Sequence, residues 1–264
     1  MEKSERIVVI TGASCGIGKA CALRFLACGD IVYSLSRTAG DLPGFRHIPT
    51  DVSDPDSARA AIETVLLRHG KIDVLLLNAG IGISGAAEFT EFADARRQFD
   101  VCFFGALHVL VPALPVLRTY GGTVLFTSSV AAVTPIPFQA FYSAAKAAIN
   151  SLVLSLRNEL RHYPVRIAAV LPGDVKTSFT SARLKQTNGS EIYPSLERSV
   201  RRMERDEQSG MSPDRIAKKI VRIASKRRPK PFYSVGIGYQ AILVLMKLLP
   251  ASLSNRIIGM LYAE

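Results

Sequence analysis

A chain of 264 residues that is 48% hydrophobic, with no block dominated by Gly, Pro, Ser or Gln, can bury a sizeable core, which excludes a disordered or low-complexity protein. Its four cysteines, Cys15, Cys21, Cys28 and Cys102, have neither the C-x-x-C spacing of a zinc site nor the density of a disulfide framework, so reduced thiols and no metal are expected. The net charge of +11 gathers between residues 183 and 230, where 14 Lys and Arg stand against 6 Asp and Glu; no binding motif accompanies it, so nucleic acid is not expected, and solvated helix faces or an anionic membrane or acidic partner remain as its readings.

The opening Met1-Glu2-Lys3-Ser4-Glu5-Arg6 carries no apolar run or small-residue cleavage site, which points to a cytoplasmic protein. Apolar runs then alternate with helical patterns: Ile7 to Ile10, Ile17 to Cys28, Ile31 to Leu35, Ala58 to Leu67 and Val74 to Leu77. The short runs are continuously aliphatic, as strands covered on both faces must be, so this βαβαβ order predicts a parallel sheet. A helix from about Asp94 to Arg118, a strand at Thr123 to Thr127, a helix from Tyr142 to His162 and a strand at Val165 to Leu171 continue the alternation.

Residues 178–210 read as polar and irregular, a candidate lid, and the Asn188-Gly189-Ser190 sequon within them reads as idle. Ser212-Pro213-Asp214 opens a further helix with a capping residue and a proline at its first position. Phe232 to Val235 is the last strand expected. Beyond it, Tyr239 to Leu249 is apolar on nearly every side but too short to span a bilayer, where about 20 residues are needed, and Lys247 interrupts it. Packing on the domain or a second subunit and a monotopic membrane contact both fit this segment.

The chemistry starts at Thr11-Gly12-Ala13-Ser14-Cys15-Gly16-Ile17-Gly18, between the first strand and the first helix. There a dinucleotide pyrophosphate meets backbone N–H groups and the positive helix end. Tyr142 and Lys146 are four apart, so on a helix they share a face, and Ser129 stands thirteen residues before the tyrosine. At the tip of the second strand the chain reads Ser34-Leu35-Ser36-Arg37-Thr38. With no acid there for a ribose hydroxyl and a guanidinium able to clamp phosphate, NADP(H) is favoured over NAD(H).

The G-x-x-x-G-x-G spacing, Asn78-Ala79-Gly80 after the fourth strand, Tyr142-Ser143-Ala144-Ala145-Lys146 and Pro172-Gly173-Asp174-Val175-Lys176-Thr177, in that order, resemble the short-chain dehydrogenase/reductase family over almost the whole length. The resemblance implies a doubly wound Rossmann-type α/β fold of about seven parallel strands. It also implies an enzyme that moves a hydride between nicotinamide and a carbonyl or secondary alcohol. Tyr142, Lys146 and Ser129 become its catalytic residues: a free phenol ionises near ~10, too high for a good proton shuttle, a neighbouring ammonium and the oxidised nicotinamide would favour phenolate, and Ser129 would hydrogen-bond the carbonyl oxygen.

Its cofactor contacts fall at Gly12, Ser14, Cys15, Gly16, Ile17, Gly18, Arg37, Asp51, Val52, Asn78, Ala79, Gly80, Tyr142, Lys146, Pro172, Gly173, Val175 and Thr177, with Asp51 near the adenine and Thr177 at the carboxamide. One position departs from the family pattern. The Asn that helps hold a water linking the lysine to solvent falls at Cys102, a weak hydrogen bonder.

The expectation is a single domain over 1–264, with 178–210 as lid and 239–264 as a C-terminal apolar extension. The substrate is a small apolar molecule of steroid, retinoid or acyl-chain kind, suggested by Val133, Pro135, Ile136, Pro137, Phe138 and Phe141 around the site and by the family-like stretch from Arg228 to Gly236. The competing class is a non-catalytic NADP-binding sensor or interaction protein, which would not need Tyr142, Lys146 and Ser129 together.

Overall fold

The computed structural model describes residues 5–40 and 44–263. Met1 to Ser4, Asp41 to Pro43, Glu264 and the side chain of Lys247 lie outside the described residues, and with them most of the N-terminal reading and the Lys247 interruption.

The chain begins β1 (Ile7–Thr11), α1 (Gly16–Ala27), β2 (Ile31–Ser36), β3 (Arg46–Pro49), α2 (Pro55–His69), β4 (Val74–Leu77) and β5 (Ile83–Ser84). Next come α3 (Phe92–Phe99), a π-turn over Asp100–Phe104, α4 (Gly105–Tyr120), β6 (Gly122–Thr127), α5 (Ala140–Glu159) and β7 (Val165–Leu171). The last elements are β8 (Leu184–Lys185), α6 (Leu196–Gln208), α7 (Pro213–Ala224), β9 (Phe232–Ser234), α8 (Ile237–Leu248) and α9 (Ala251–Tyr262).

Seven strands form one parallel sheet in the order β3-β2-β1-β4-β6-β7-β9, as the aliphatic runs predict. Every residue of β1 and β4 is buried because helices cover both faces. Leu75, Val109, Leu117 and Val153 pack on the side of α2, α4 and α5, and Ile10, Phe25, Ile216 and Ile220 on the side of α1 and α7. From β1 the chain winds outward to β3 and then returns to β4 on the other side. The carboxyl ends of β1 and β4 therefore diverge into a crevice, where α/β sheets take ligands. The run Phe92–Tyr120 is long and apolar enough to cross a membrane, yet Val109, Leu110, Ala113 and Leu117 bury its inner face in this core.

Several expectations need correction. The 178–210 segment is not irregular throughout: Leu184–Lys185 pairs in parallel with Ile83–Ser84, and α6 buries Leu196, Val200 and Met203 at helical spacing among charged neighbours. Strand β3 went unpredicted because its residues are half-buried or exposed at the sheet edge. The helix expected from Asp94 to Arg118 does run without interruption over Phe92–Tyr120, but through one wider π-turn in which the Gly105 N–H donates to Asp100 O, five residues back. Pro213 does open α7, but the Ser212 side chain makes no cap bond; Asp214 instead pairs with Arg24 of α1, 2.5 Å from its Nε.

Candidate active site

The crevice is a cavity of about 1010 Å³. Apart from Gly18, every residue expected to hold the cofactor or to act in catalysis lines it, including Arg37, Asp51, Asn78, Ser129, Tyr142 and Lys146.

At one end, α1 starts on Cys15, whose backbone is extended and whose side chain makes no cap bond. The first N–H groups of a helix have no intrahelical partner, so this end offers donors and a positive dipole to an anion. Gly18 lies just behind the wall: a Cβ there would sit 2.2 Å from Gly12 O and 2.7 Å from Asn78 Nδ2, so only glycine lets the helix approach this closely. Asn78 ties three strand ends together. Its Nδ2 donates to Thr11 O at 3.1 Å, its N–H to Thr11 Oγ1 at 2.8 Å, and its Oδ1 accepts from Thr127 Oγ1 at 3.1 Å. Uncapped amides beside the glycines Gly12 and Gly16 fit the pyrophosphate of a dinucleotide.

Arg37 is exposed at the tip of β2. Asp51 accepts from Ser53 N at 2.9 Å and Ser53 Oγ at 2.6 Å; the hydroxyl chiefly holds its carboxyl below the usual carboxylate range, helped by the Arg37 and Arg97 guanidiniums nearby. Arg97 also lines the cavity and was missed from sequence, since an Arg on a helical pattern reads as solvated.

Ser129 follows β6 in extended backbone, and its Oγ accepts the Ala131 N–H at 3.1 Å to start a tight turn. Tyr142 and Lys146 sit one turn apart near the start of α5. The Lys146 Nζ lies 5.8 Å from the Tyr142 ring centroid and donates to Thr127 O at 2.8 Å. Burial pushes the Tyr142 phenol above its ordinary pKa while a hydrogen bond with Ser129 pulls it back, and burial pushes Lys146 below its own. In this structure the Lys146 ammonium is directed at the Thr127 carbonyl oxygen.

The other end of the cavity is apolar. Of the six residues expected to make it so, only Ile136 lines it; Phe138 takes φ 63° and packs its ring 6.0 Å from that of Tyr193. Phe179, Ile242, Leu245, Ile257 and Leu261 supply most of the wall, the last four from α8 and α9. The Phe179 ring lies 5.8 Å from that of Tyr142, with the Arg183 guanidinium 5.7 Å from the Phe179 centroid. Buried Arg183 pairs with Glu207, which also accepts from Thr180 Oγ1 at 2.6 Å, so residues 178–183 are braced onto α6. Asp174 is clamped by Tyr239, whose hydroxyl donates to Oδ2 at 2.5 Å, and burial raises the carboxyl's pKa. Sequence reasoning missed Phe179, Glu207 and Tyr239 because the contacts that bring them here join distant segments.

Among the described residues no group of His, Cys, Asp and Glu could hold a metal ion, and all four cysteines are free, Cys21 and Cys102 buried.

The profile of the family described as short chain dehydrogenase matches residues 6–188. Among curated proteins, the chain is 33% identical to 3-ketodihydrosphingosine reductase of Bacteroides thetaiotaomicron over 98% of both chains. It is 32% identical to 11-beta-hydroxysteroid dehydrogenase-like 2 of Arabidopsis thaliana, over 75% of this chain and 67% of that one. A solved short-chain dehydrogenase from Streptomyces avermitilis shares 26% identity, covers 92% of each chain and superposes with a TM-score of 0.84.

Proposed function

The chain belongs to the short-chain dehydrogenase/reductase family of oxidoreductases, and from that premise we propose that it uses NADP(H) to interconvert a carbonyl and a secondary alcohol on an apolar substrate. The observation that carries this reading is one cavity holding the glycine cradle, the Ser129, Tyr142 and Lys146 cluster, and an apolar wall from α8 and α9.

A nicotinamide held by these residues would supply the hydride chemistry at the carbonyl carbon. The chain's own residues handle the oxygen. Ser129 Oγ donates to it, and in the reductive direction Tyr142 gives it the phenolic proton as negative charge develops. A phenol carries its proton at neutral pH, and the Lys146 ammonium together with a bound oxidised nicotinamide would draw its pKa down toward the working range. Lys146 is within reach to offset the charge left on the tyrosine, so its ammonium stabilises the form that must be reprotonated. Arg37 at the tip of β2, where no acid stands, supports NADP(H), with Arg97 as a second cation near Asp51.

The apolar wall supports a substrate with a long or fused aliphatic body, in keeping with relatives named for a ketosphingoid and a hydroxysteroid. Residues 178–210 would act as its lid, since Phe179 and Glu207 line the cavity and the Phe179 ring lies 5.8 Å from that of Tyr142. The α8–α9 hairpin is apolar on both sides: Met246 and Ile257 face the cavity, while Ile237, Val244 and Leu248 are exposed. Lys226, Arg227, Arg228 and Lys230, in the segment leading into β9, are exposed, and this charge together with the apolar hairpin supports a peripheral contact with anionic lipid from the cytoplasmic side. The test of activity is NADPH absorbance against a panel of ketones, aldehydes and acyl-chain carbonyls. Substrate-dependent loss that is strongest for long apolar ketones is expected, and no loss with any member would overturn the reading.

A further inference from the structure

Behind Lys146 the backbone of Gly80 to Ile83 runs between the active site and the π-turn. A Cβ on Gly80 would lie 3.5 Å from Cys102 Sγ and 3.7 Å from Lys146 Nζ, so this strand of backbone is a thin partition between thiol and ammonium. Cys102 holds it weakly: Sγ accepts from Ile81 N at 3.4 Å and faces Ile81 O at 3.5 Å. A thiol is a poor donor and acceptor, so these contacts cannot fix a loop by themselves.

Gln98, one helical turn earlier and fully buried, makes the stronger bonds. Its Oε1 accepts the Ile83 N–H at 3.0 Å, and its Nε2 donates to Ile81 O at 2.8 Å and to Cys102 Sγ at 3.0 Å. One amide therefore pairs both sides of Ile81–Ile83 and steadies the thiol from the helix side. An apolar residue here would leave the Ile83 N–H buried without a partner. The same loop carries β5, which pairs with β8 at the root of the residue 178–210 segment.

We propose that Gln98 is a positioning residue: its amide, rather than Cys102, locks the Gly80–Ile83 backbone against Lys146 and so sets the environment in which the lysine and Tyr142 exchange protons. This rests on the carbonyl-reductase reading for its kinetic consequence, but not for the cross-link itself.

The test uses full-length protein bound to NADPH. Gln98→Met keeps the length of the side chain and removes every bond. We expect faster hydrogen exchange at the Ile81 and Ile83 amides, kcat lower on the order of tenfold to a hundredfold from misplacement alone, and a shifted pH dependence of kcat. Adding Cys102→Asn, which restores a donor and an acceptor opposite Ile81 but no acceptor for the Ile83 N–H, should slow exchange at Ile81 and recover part of kcat. A Gln98→Met protein with parental exchange, kcat and pH profile would overturn the proposal, as would a loss of kcat that Cys102→Asn does not rescue. Should Gln98→Met fail to fold, Gln98→Glu keeps shape and an acceptor for Ile83 N but loses the donor to Ile81 O. The same kinetic changes are then expected, and parental kinetics would overturn the idea. A parent protein that reduces no carbonyl would sink the functional reading alone, because the exchange rates still report on the cross-link.

Discussion

Lys146 donates to the carbonyl oxygen of Thr127 at 2.8 Å, at the end of the strand that leads into Ser129. One bond thus ties the helix carrying Tyr142 and Lys146 to the strand that positions Ser129. The three groups reach one cavity from two elements separated by the turn and loop between β6 and α5.

Tyr142→Phe is expected to leave NADPH binding within about threefold while lowering kcat by ~10²-fold or more, the loss typical of a general acid. The raised phenol also sets a sign. Reduction needs the protonated form and should stay flat through neutral pH, whereas oxidation needs phenolate and should climb as pH rises toward the raised pKa. Stopped-flow rates in both directions against pH check this, and an undiminished Tyr142→Phe turnover would place the proton donor elsewhere.

At equal concentration NADPH should raise the melting temperature more than NADH, because stabilisation follows RT ln(1 + [L]/Kd). Arg37→Asp should reverse that order, and Arg97→Ala should narrow it. Equal shifts from the two cofactors in the parent protein would refute the assignment of Arg37.

Cys102→Asn alone is expected to leave KM for NADPH roughly unchanged and to alter kcat or the pH at which it falls. The new amide bonds Ile81 more strongly than the thiol does, close to Lys146. The check is kcat against pH with a substrate whose chemical step limits the rate. Superimposable curves would mean that Cys102 only fills space.

The full chain should co-sediment with anionic liposomes at low salt and release as salt screens the basic residues. Val244→Asp with Leu248→Asp, both on the exposed face of α8, should weaken this by on the order of tenfold while leaving NADPH binding intact. Absence of sedimentation, or concentration-dependent self-association that the double substitution abolishes, would assign the face to a second copy of the chain.

The sequence by itself determined the parallel sheet, the glycine cradle and the sharing of a helix face by Tyr142 and Lys146. Each follows from local rules: burial on both faces makes β1 and β4 continuously aliphatic, and a spacing of four places two side chains on one face of α5. Tertiary structure alone decided what lines the substrate end of the cavity and what steadies the site from behind. Ile242 and Leu261 enter the cavity because α8 and α9 fold back over the carboxyl ends of the strands, and no period in the sequence encodes that return. Lys146 meets Thr127 O across 19 residues, and Gln98 meets Ile81 and Ile83 across 17 and 15. A buried polar group takes whichever partner packing brings within about 3 Å, so its bonds are settled by the assembled core and not by the pattern of its neighbours in the chain.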